Sequence, residues 1–245
     1  MDKSQLYEEI AKRKSIPQHD LPYNGGNGRI DRCVDLMRQG KIRTGGTLLD
    51  VGGSIGDMGY AVRDLFSKRI VNDIAELPLE SAKKKGNEVL RSDIDRGGFL
   101  GIAAKEIDVV TALDFIEHII DPENFARECF RVLKPGGEVF INTPNIQYWF
   151  HIKQLIHGTF PHTSGDKEVW HGGHLAFFTF RDLCDIFGTA GFTNFQQFKD
   201  EECYNALAIN DAERNGFMKP KTQAEYTDLC MRFGNPNLLF KAVKP

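Results

Sequence analysis

The sequence predicts an α/β fold in which helices cover both faces of a doubly wound, mostly parallel sheet. Short β-branched runs alternate with helical patterns along the chain, which is typical of this arrangement. One run leads into a glycine cluster between Asp50 and Gly56, as expected for a strand that enters a ligand-binding turn. The 245 residues suit one large domain, so we expect a single domain over residues 1–245.

Seven segments have the composition of strands. They are residues 46–51, 69–73, 88–91, 107–113, 137–142, 192–198 and 237–243. The fifth is well bounded, because a Lys-Pro-Gly-Gly turn precedes it and both Pro and Gly interrupt regular structure. Strands that alternate with helices predict parallel pairing, so most of these segments should end at one edge of the sheet.

Helices and two further segments complete the chain. Helices are predicted over residues 122–133 and 179–190. Asp121 and Thr179 precede them as N-cap residues. Residues 1–44 form a predicted helical N-terminal extension, broken by a glycine-rich turn. Residues 144–178 hold both tryptophans and five of the seven histidines, and we interpret them as a substrate cap over the carboxyl ends of the strands.

Composition and charge exclude several classes of protein. Hydrophobic residues make up 41% and charged residues 27% of the chain, which predicts a packed core and excludes disorder. A net charge of −3 speaks against nucleic acid as a partner, and no apolar run is long enough to span a membrane. The five cysteines are scattered and the N-terminus lacks an apolar signal region, so we expect reduced thiols in a cytoplasmic protein.

The glycine loop after the first strand is the most informative motif. Gly52, Gly53 and Gly56 follow Asp50, and glycine lets the backbone turn tightly and approach a ligand. A dinucleotide fingerprint requires glycine at its first, third and sixth positions; here the third is Ser54 and the sixth is an aspartate, so that fingerprint fails. A strand-turn-helix with glycine only for chain reversal stays an alternative for the motif alone.

Two more acids follow the next two strands. Asp73 ends the second strand, where a carboxylate suits ribose hydroxyls, and Asp93 follows the third, where it suits an adenine amino group. Asp73 as a simple cap of the next helix is the alternative. Acids at the carboxyl ends of three successive strands, Asp50 included, favour a nucleoside-containing ligand.

From Leu48 to Asn145 the chain resembles the class I S-adenosylmethionine-dependent methyltransferases. Within them it is similar to the small-molecule branch that includes ubiquinone-biosynthesis, sugar and natural-product methyltransferases. The glycine loop matches their acidic-x-Gly-x-Gly-x-Gly motif, with Ser54 at the middle glycine position. The other matching segments are residues 108–111, 117–122, 131–137, 143–145 and 174–179.

The resemblance implies a Rossmann-like, three-layer α/β/α fold with seven strands, the last of them antiparallel. It also implies S-adenosylmethionine as the cofactor, S-adenosylhomocysteine as the product and a small-molecule acceptor. Along the chain, the implied cofactor-binding residues would serve in turn the methionine tail, the ribose, the adenine and the methyl-transfer channel. These residues are Asp50, Gly52, Gly53, Ser54, Gly56, Asp73, Ile74, Asp93, Ile94, Ala112 and Leu113. Because Ser54 adds a side chain at a glycine position, we expect it to weaken cofactor binding somewhat.

A hydroxyl acceptor must lose its proton to a base within hydrogen-bond reach. His118 is the catalytic candidate, because it follows the fourth strand and imidazole titrates near neutral pH. A purely structural role for Glu117 and His118 stays an alternative. So does a magnesium ion held by Asp114, Glu117 and His118, since some ubiquinone-pathway relatives place acidic residues and a histidine here.

The predicted substrate-binding residues lie in the cap. They are Tyr148, Trp149, Trp170, His171 and His174. Their aromatic rings suit stacking on a planar or sugar acceptor. The cap histidines match no zinc spacing and no cysteine lies among them, so no metal site is predicted. Arg29 either pairs with the carboxylate of the cofactor or of an acidic acceptor, or is an ordinary surface arginine.

The sequence therefore predicts an O-methyltransferase for a small molecule. N-methyl transfer, an RNA or protein acceptor and a non-catalytic S-adenosylmethionine-binding protein are the alternatives, followed by an NAD-dependent oxidoreductase. The acceptor and the choice between monomer and homodimer stay open.

Overall fold

Seven strands form one sheet in the computed structural model, which describes residues 3–13, 21–99, 101–161, 163, 173–200 and 204–245. The strands are β1 (Thr47–Val51), β2 (Lys68–Asp73), β3 (Glu88–Arg91), β4 (Ile107–Leu113), β5 (Leu133–Pro144), β6 (Thr193–Phe198) and β7 (Asn237–Val243). Their order in the sheet is β3-β2-β1-β4-β5-β7-β6, and only β7 runs antiparallel to its neighbours. The predicted fold class is confirmed, and β3, β4 and β7 have the predicted bounds.

Helices flank this sheet on both faces. They are α1 (Lys3–Arg13), α2 (Gly28–Arg38), α3 (Asp57–Ala61), α4 (Glu76–Lys84), α5 (Ile94–Gly97), α6 (Pro122–Val132), α7 (Trp149–Ile156), α8 (Phe180–Thr189), α9 (Ala206–Arg214) and α10 (Gln223–Gly234). The predicted caps of α6 and α8 are confirmed: Asp121 accepts from the Asn124 amide at 2.7 Å, and Thr179 forms a capping box with Asp182. None of the described helices is both long and apolar enough to cross a membrane.

Each face of the sheet has its own hydrophobic core. Val109 and Phe140 pack beneath α2 and α3, whereas Val110 and Ile141 pack beneath α6 and α8. Successive side chains of a strand point to opposite faces. Asn142 therefore lies on the α2 face, two residues beyond Phe140.

The chain changes its winding direction at the centre of the sheet. β1 pairs with β2 on one side and with β4 on the other, so the strand order reverses between β1 and β4. Open α/β sheets bind ligands at the carboxyl ends of the strands at such a point. The loops after β1 and β4 are therefore where a site is expected.

Two helices lie between β6 and β7, where the sequence analysis assigns no element. α9 and α10 pack with α7 around Trp149, which is 1% exposed and lies 4.8 Å from the Phe217 ring, centroid to centroid. Asn205 and Thr222 are the side-chain N-caps of these helices and were the available sequence signals. α7, α9 and α10 thus share a small hydrophobic core that is separate from the two cores of the sheet.

The indole N–H of Trp149 donates to Asp211 Oδ2 at 2.6 Å. Replacing Trp149 with phenylalanine should lower the free energy of unfolding by about 1–3 kcal/mol, because the buried ring loses part of its packing and its partly exposed hydrogen bond to a charged group. Lys153→Met is the matched control, since Lys153 pairs with the same oxygen from a more exposed position and should contribute less than about 1 kcal/mol. Urea denaturation measures both; equal losses would contradict the prediction.

Candidate functional site

The glycine loop after β1 has a left-handed backbone at three positions. Gly52, Ser54 and Gly56 have φ angles of 66°, 47° and 75°. A Cβ atom on Gly52 would lie 2.5 Å from the Phe115 ring, so this position requires glycine. Ser54 adopts the same backbone region with a side chain, which is the strained choice. The loop therefore has the shape that glycine dictates at each of the three motif positions.

The buried side chain of Asp50 in β1 contacts this loop from the interior of the protein. Its side chain is buried, Oδ1 accepts from Thr111 Oγ1 at 2.8 Å, and Oδ2 has no hydrogen-bond partner. A Cβ atom on Gly53 would lie 2.4 Å from Oδ2, so the backbone rests directly on the carboxyl group. Burial raises the pKa of Asp50 to about 7. Asp50 thus orders the loop from inside the sheet.

Asp50 should make the stability of the protein depend on pH. Folding raises the pKa of Asp50, so the protonated carboxyl group contributes to the free energy of unfolding. This contribution is complete below pH 3.8, the ordinary pKa, and is lost as the pH rises to about 7. Across that window, wild type should lose up to about 4 kcal/mol that Asp50→Asn does not lose. Urea denaturation at a series of pH values measures this difference. Asp64→Asn, at an exposed carboxylate, should follow wild type, and identical slopes for all three proteins would contradict the assignment.

Asp73 ties the loop to the end of β2. Oδ2 accepts from the Ser54 amide at 3.1 Å and Oδ1 from the Ala75 amide at 2.9 Å. Burial raises the pKa of Asp73, although these backbone bonds oppose the rise. Asp73 therefore joins the glycine loop to the turn before α4, but it is not the helix cap of the alternative interpretation, because the N-cap residue of α4 is Ala75 and no side chain caps this helix. Its contact with a ribose stays a prediction.

The predicted adenine residues follow β3. Asp93 caps α5 by accepting from the Asp95 amide at 3.1 Å, and Ile94 is 4% exposed. At the end of β4, Ala112 is buried and Leu113 packs against the core beneath α2. The predicted cofactor-binding residues thus lie along the carboxyl edge from β1 to β3 and at β4.

Helix α1 lies across this edge, a contact that the sequence pattern does not reveal. Lys3 pairs with Asp95 at 2.5 Å, and Ser4 Oγ donates to the Ile74 carbonyl at 3.4 Å. The Glu8 carboxylate accepts from the first amide of α4 at 2.8 Å. Burial, together with the nearby Asp73, raises the pKa of Tyr7 to about 12. Tyr7 therefore faces the edge, where the ribose is predicted to bind.

Glu117, His118 and His174 form a cluster after β4. Glu117 is 1% exposed, and its Oε2 accepts from Thr143 Oγ1 at 2.8 Å. His174 Nε2 lies 4.0 Å from Glu117 Oε1, and the two imidazole rings are T-shaped with centroids 4.7 Å apart. Burial, with the nearby Asp114 charge, raises the pKa of Glu117 to about 8.

His118 has a defined tautomer in this cluster. Its Nδ1 lies 3.2 Å from the Gly173 carbonyl, which can only accept, so Nδ1 carries the proton and Nε2 is the basic nitrogen. Glu117, His118 and His174 place one ligand atom each within 4.8 Å of one another. This set brings in His174 from the cap in place of Asp114, which pairs with Arg29 instead. The absence of a metal stays a prediction.

A polar cavity of about 420 Å³ opens at the ends of β4 and β5 and the start of β7. It is lined by Gly26, Asn27, Gly28, Arg29, Arg32, Asp114, Asn142 and Asn237. Asn142 is 1% exposed, and neither Nδ2 nor Oδ1 of its side-chain amide has a hydrogen-bond partner. Asn142 and Asn237 are not among the residues predicted from the sequence; a polar residue within the apolar run of β5 was the available signal.

The predicted substrate-binding residues occupy different surroundings. Tyr148 accepts from Asn205 Nδ2 at 2.8 Å and packs with Trp149 in the core of the cap. His174 lies in the cluster with Glu117. Trp170 and His171 lie outside the described residues. Tyr148 and Trp149 thus have packing roles, and their contact with an acceptor stays a prediction.

Similar proteins agree with this architecture. The profile of the methyltransferase domain family matches residues 28–197. A ubiquinone biosynthesis O-methyltransferase of Pseudomonas fluorescens is 34% identical over 133 residues, which are 53% of this chain and 54% of that protein. The chain thus matches about half the length of this curated relative.

Solved structures share the fold at low sequence identity. A SAM-dependent methyltransferase from Archaeoglobus fulgidus aligns over 99% of this chain and 100% of its own, with a TM-score of 0.61 and 17% identity. A [4+2]-cyclase aligns over 100% of this chain and 97% of its own, with a TM-score of 0.60 and 18% identity. One fold therefore supports different reactions. Because the family profile covers more than half of the residues, the chain belongs to the methyltransferase domain family.

Proposed function

We propose that the protein is an S-adenosylmethionine-dependent O-methyltransferase that acts on a small molecule in the cytoplasm. The observation that carries the proposal is the contact between Gly52 and the ring of Phe115. It brings the glycine loop against the segment that holds Glu117 and His118. A cofactor on the loop and a base after β4 would then share one site, as transfer to a hydroxyl requires.

The residues of the edge fit the cofactor. Gly52, Gly53 and Gly56 allow the tight turn of the loop, because a Cβ atom at each would clash with the protein, and Asp73 presents an acidic side chain beside the loop. In the proposed complex the methionine tail lies on the loop, the ribose at Asp73 and Ile74, and the adenine at Asp93 and Ile94. The methyl end then faces Ala112 and Leu113. The tight glycine turn and the carboxylate both support this arrangement.

The chemistry divides between cofactor and protein. When bound, S-adenosylmethionine supplies an activated methyl group, which the acceptor oxygen takes as the carbon–sulfur bond breaks and S-adenosylhomocysteine is left. His118 Nε2 takes the proton of the hydroxyl. The Gly173 carbonyl holds the imidazole in the required tautomer. Glu117, with its raised pKa, keeps a proton near neutral pH, so Glu117, His118 and His174 together carry no negative charge.

Calorimetry with S-adenosylmethionine, S-adenosylhomocysteine and NAD tests the proposal. We expect micromolar dissociation constants for the first two, roughly −8 kcal/mol, and none measurable for NAD. Transfer of a radiolabelled methyl group to members of a small-molecule panel then tests the activity. Failure of the wild-type protein to bind either sulfur compound would reject the proposal.

The organisation of the chain is part of the same proposal. Residues 1–245 act as one domain, in which 1–44 extend the fold and 144–178 belong to the cap over the acceptor. The core around Trp149 supports a cap built from α7, α9 and α10. A homodimer is the assembly to test first, and sedimentation of the purified chain would distinguish it from a monomer.

A further inference from the structure

We propose that the cavity beside α2 binds a neutral polyhydroxylated acceptor, of which a sugar ring is the simplest example. The inference rests on the proposed function and deepens it, because it names the class of molecule that receives the methyl group. The cavity has a volume of about 420 Å³, and polar residues and glycines form its wall. Cavities of roughly 300–1,000 Å³ commonly hold small molecules in proteins.

Asn142 is the first argument for a hydrogen-bonding ligand. It lies on the α2 face of β5, is 1% exposed, and has an amide without partners. A buried polar group without hydrogen bonds destabilises a protein, and a ligand that supplies them recovers that free energy. Asn145, three residues later and fully buried, donates to the carbonyls of Arg232 and Asn235 at 2.8 Å each. Of these two buried asparagines, only the one that lines the cavity has a side-chain amide without hydrogen bonds.

The charges around the cavity favour a neutral ligand. Arg29 pairs with Asp114, and Arg32 Nε lies 3.2 Å from Asp200 Oδ1. Each guanidinium thus has a carboxylate beside it. An anionic ligand at either arginine would lie beside a carboxylate of like charge, and a cationic ligand at either carboxylate would lie beside an arginine of like charge. A neutral ligand leaves both ion pairs in place.

The chemistry of the wall favours hydroxyl groups over an apolar or aromatic surface. Asn142 and Asn237 carry planar amides, and Asp114 and Arg29 carry planar charged groups. A hydroxyl donates one hydrogen bond and accepts two, so adjacent hydroxyls can bond to both the N–H and the C=O of one amide. A hydrocarbon ligand would leave the Asn142 amide buried and unsatisfied. A polyol satisfies it.

The cavity also adjoins the base. Asp114 lines the wall and lies three residues before Glu117 in the sequence. Its charge contributes to the raised pKa of Glu117. Arg29, which pairs with Asp114, opposes that effect. Asn142 in the wall is followed directly by Thr143, whose Oγ1 donates to Glu117 Oε2 at 2.8 Å, so the wall adjoins the cluster that contains His118. A hydroxyl bound at the wall is therefore near the group proposed to take its proton.

The test compares wild type with Asn142→Leu in the presence of cofactor. The acceptor panel holds methyl glucoside, methyl rhamnoside and myo-inositol, with catechol and tyramine as aromatic and amine comparators. We expect methylation of at least one polyol, and a kcat/KM for it that falls about 30- to 100-fold in the variant. The dissociation constant for S-adenosylhomocysteine should stay unchanged. The melting temperature of the variant should be equal to or higher than that of wild type, because an unsatisfied amide is removed.

Asn145→Leu is the matched control, and its melting temperature should fall because its two hydrogen bonds are lost. Ligand-detected NMR of the three polyols with wild type and S-adenosylhomocysteine gives a result that does not depend on any variant folding. Absence of polyol binding, methylation of only catechol or tyramine, or an unchanged kcat/KM in Asn142→Leu would each overturn the inference while methyl transfer stands. Absence of S-adenosylhomocysteine binding would instead reject the proposed function itself.

Discussion

Replacement of His118 with alanine is expected to lower kcat by roughly 100- to 10,000-fold for a hydroxyl acceptor. The variant loses the nitrogen proposed to take the hydroxyl proton, but it leaves the glycine loop and Asp73 intact. The dissociation constant for S-adenosylhomocysteine should therefore stay within about twofold of wild type. Single-turnover transfer of a labelled methyl group, with calorimetry on the same preparations, measures both quantities.

The control for this variant is His157→Ala, at an exposed histidine that follows α7. It should retain wild-type activity. A loss of less than about fivefold in His118→Ala would argue for an amine acceptor, which requires less help from a base, or for a purely structural His118. A parallel loss of cofactor binding would show that His118 supports the fold of the site.

Asp73→Ala should weaken S-adenosylhomocysteine binding by about 100-fold or more. A carboxylate that accepts from two ribose hydroxyls contributes about 3 kcal/mol through charge-assisted hydrogen bonds, and each 1.4 kcal/mol is a tenfold change in affinity. Calorimetry measures the effect. An unchanged dissociation constant would contradict the proposed binding of the ribose at the end of β2.

Asp73 also accepts from the Ser54 and Ala75 amides, so its loss could disturb the loop. Asp73→Asn separates the two roles, because it keeps one oxygen for a backbone amide but loses the charge. We expect an intermediate affinity from it. Asp64→Ala, at an exposed carboxylate paired with Arg38, should bind like wild type.

Local signals predicted those parts of the molecule that local interactions determine. The buried run of β4 and the caps Asp121 and Thr179 have the predicted positions, because a strand's burial and a helix's first turn depend on adjacent residues. The glycine loop belongs to this group as well. Its left-handed backbone at Gly52 and Gly56 follows from residue type.

Long-range packing determines the rest, and no local pattern encodes it. The approach of His174 to Glu117 joins the cap to the end of β4, and the unpartnered Asn142 acquires meaning only when α2 and β7 surround it. Trp149 shows the same difficulty in reverse. Aromatic content suggested a stacking surface, whereas the ring lies at the centre of a helical core that includes α9 and α10, which the sequence analysis did not assign.

The position of α1 has a consequence for turnover. Through Lys3 and Glu8 the helix joins the edge of the sheet at which S-adenosylmethionine is proposed to bind. Thermodynamic linkage is reciprocal. If docking of α1 raises the affinity of the protein for the cofactor by some factor, bound cofactor raises the equilibrium constant for docking of α1 by the same factor. We therefore expect product release from the proposed complex, and with it turnover, to become slower as this eleven-residue helix docks more tightly.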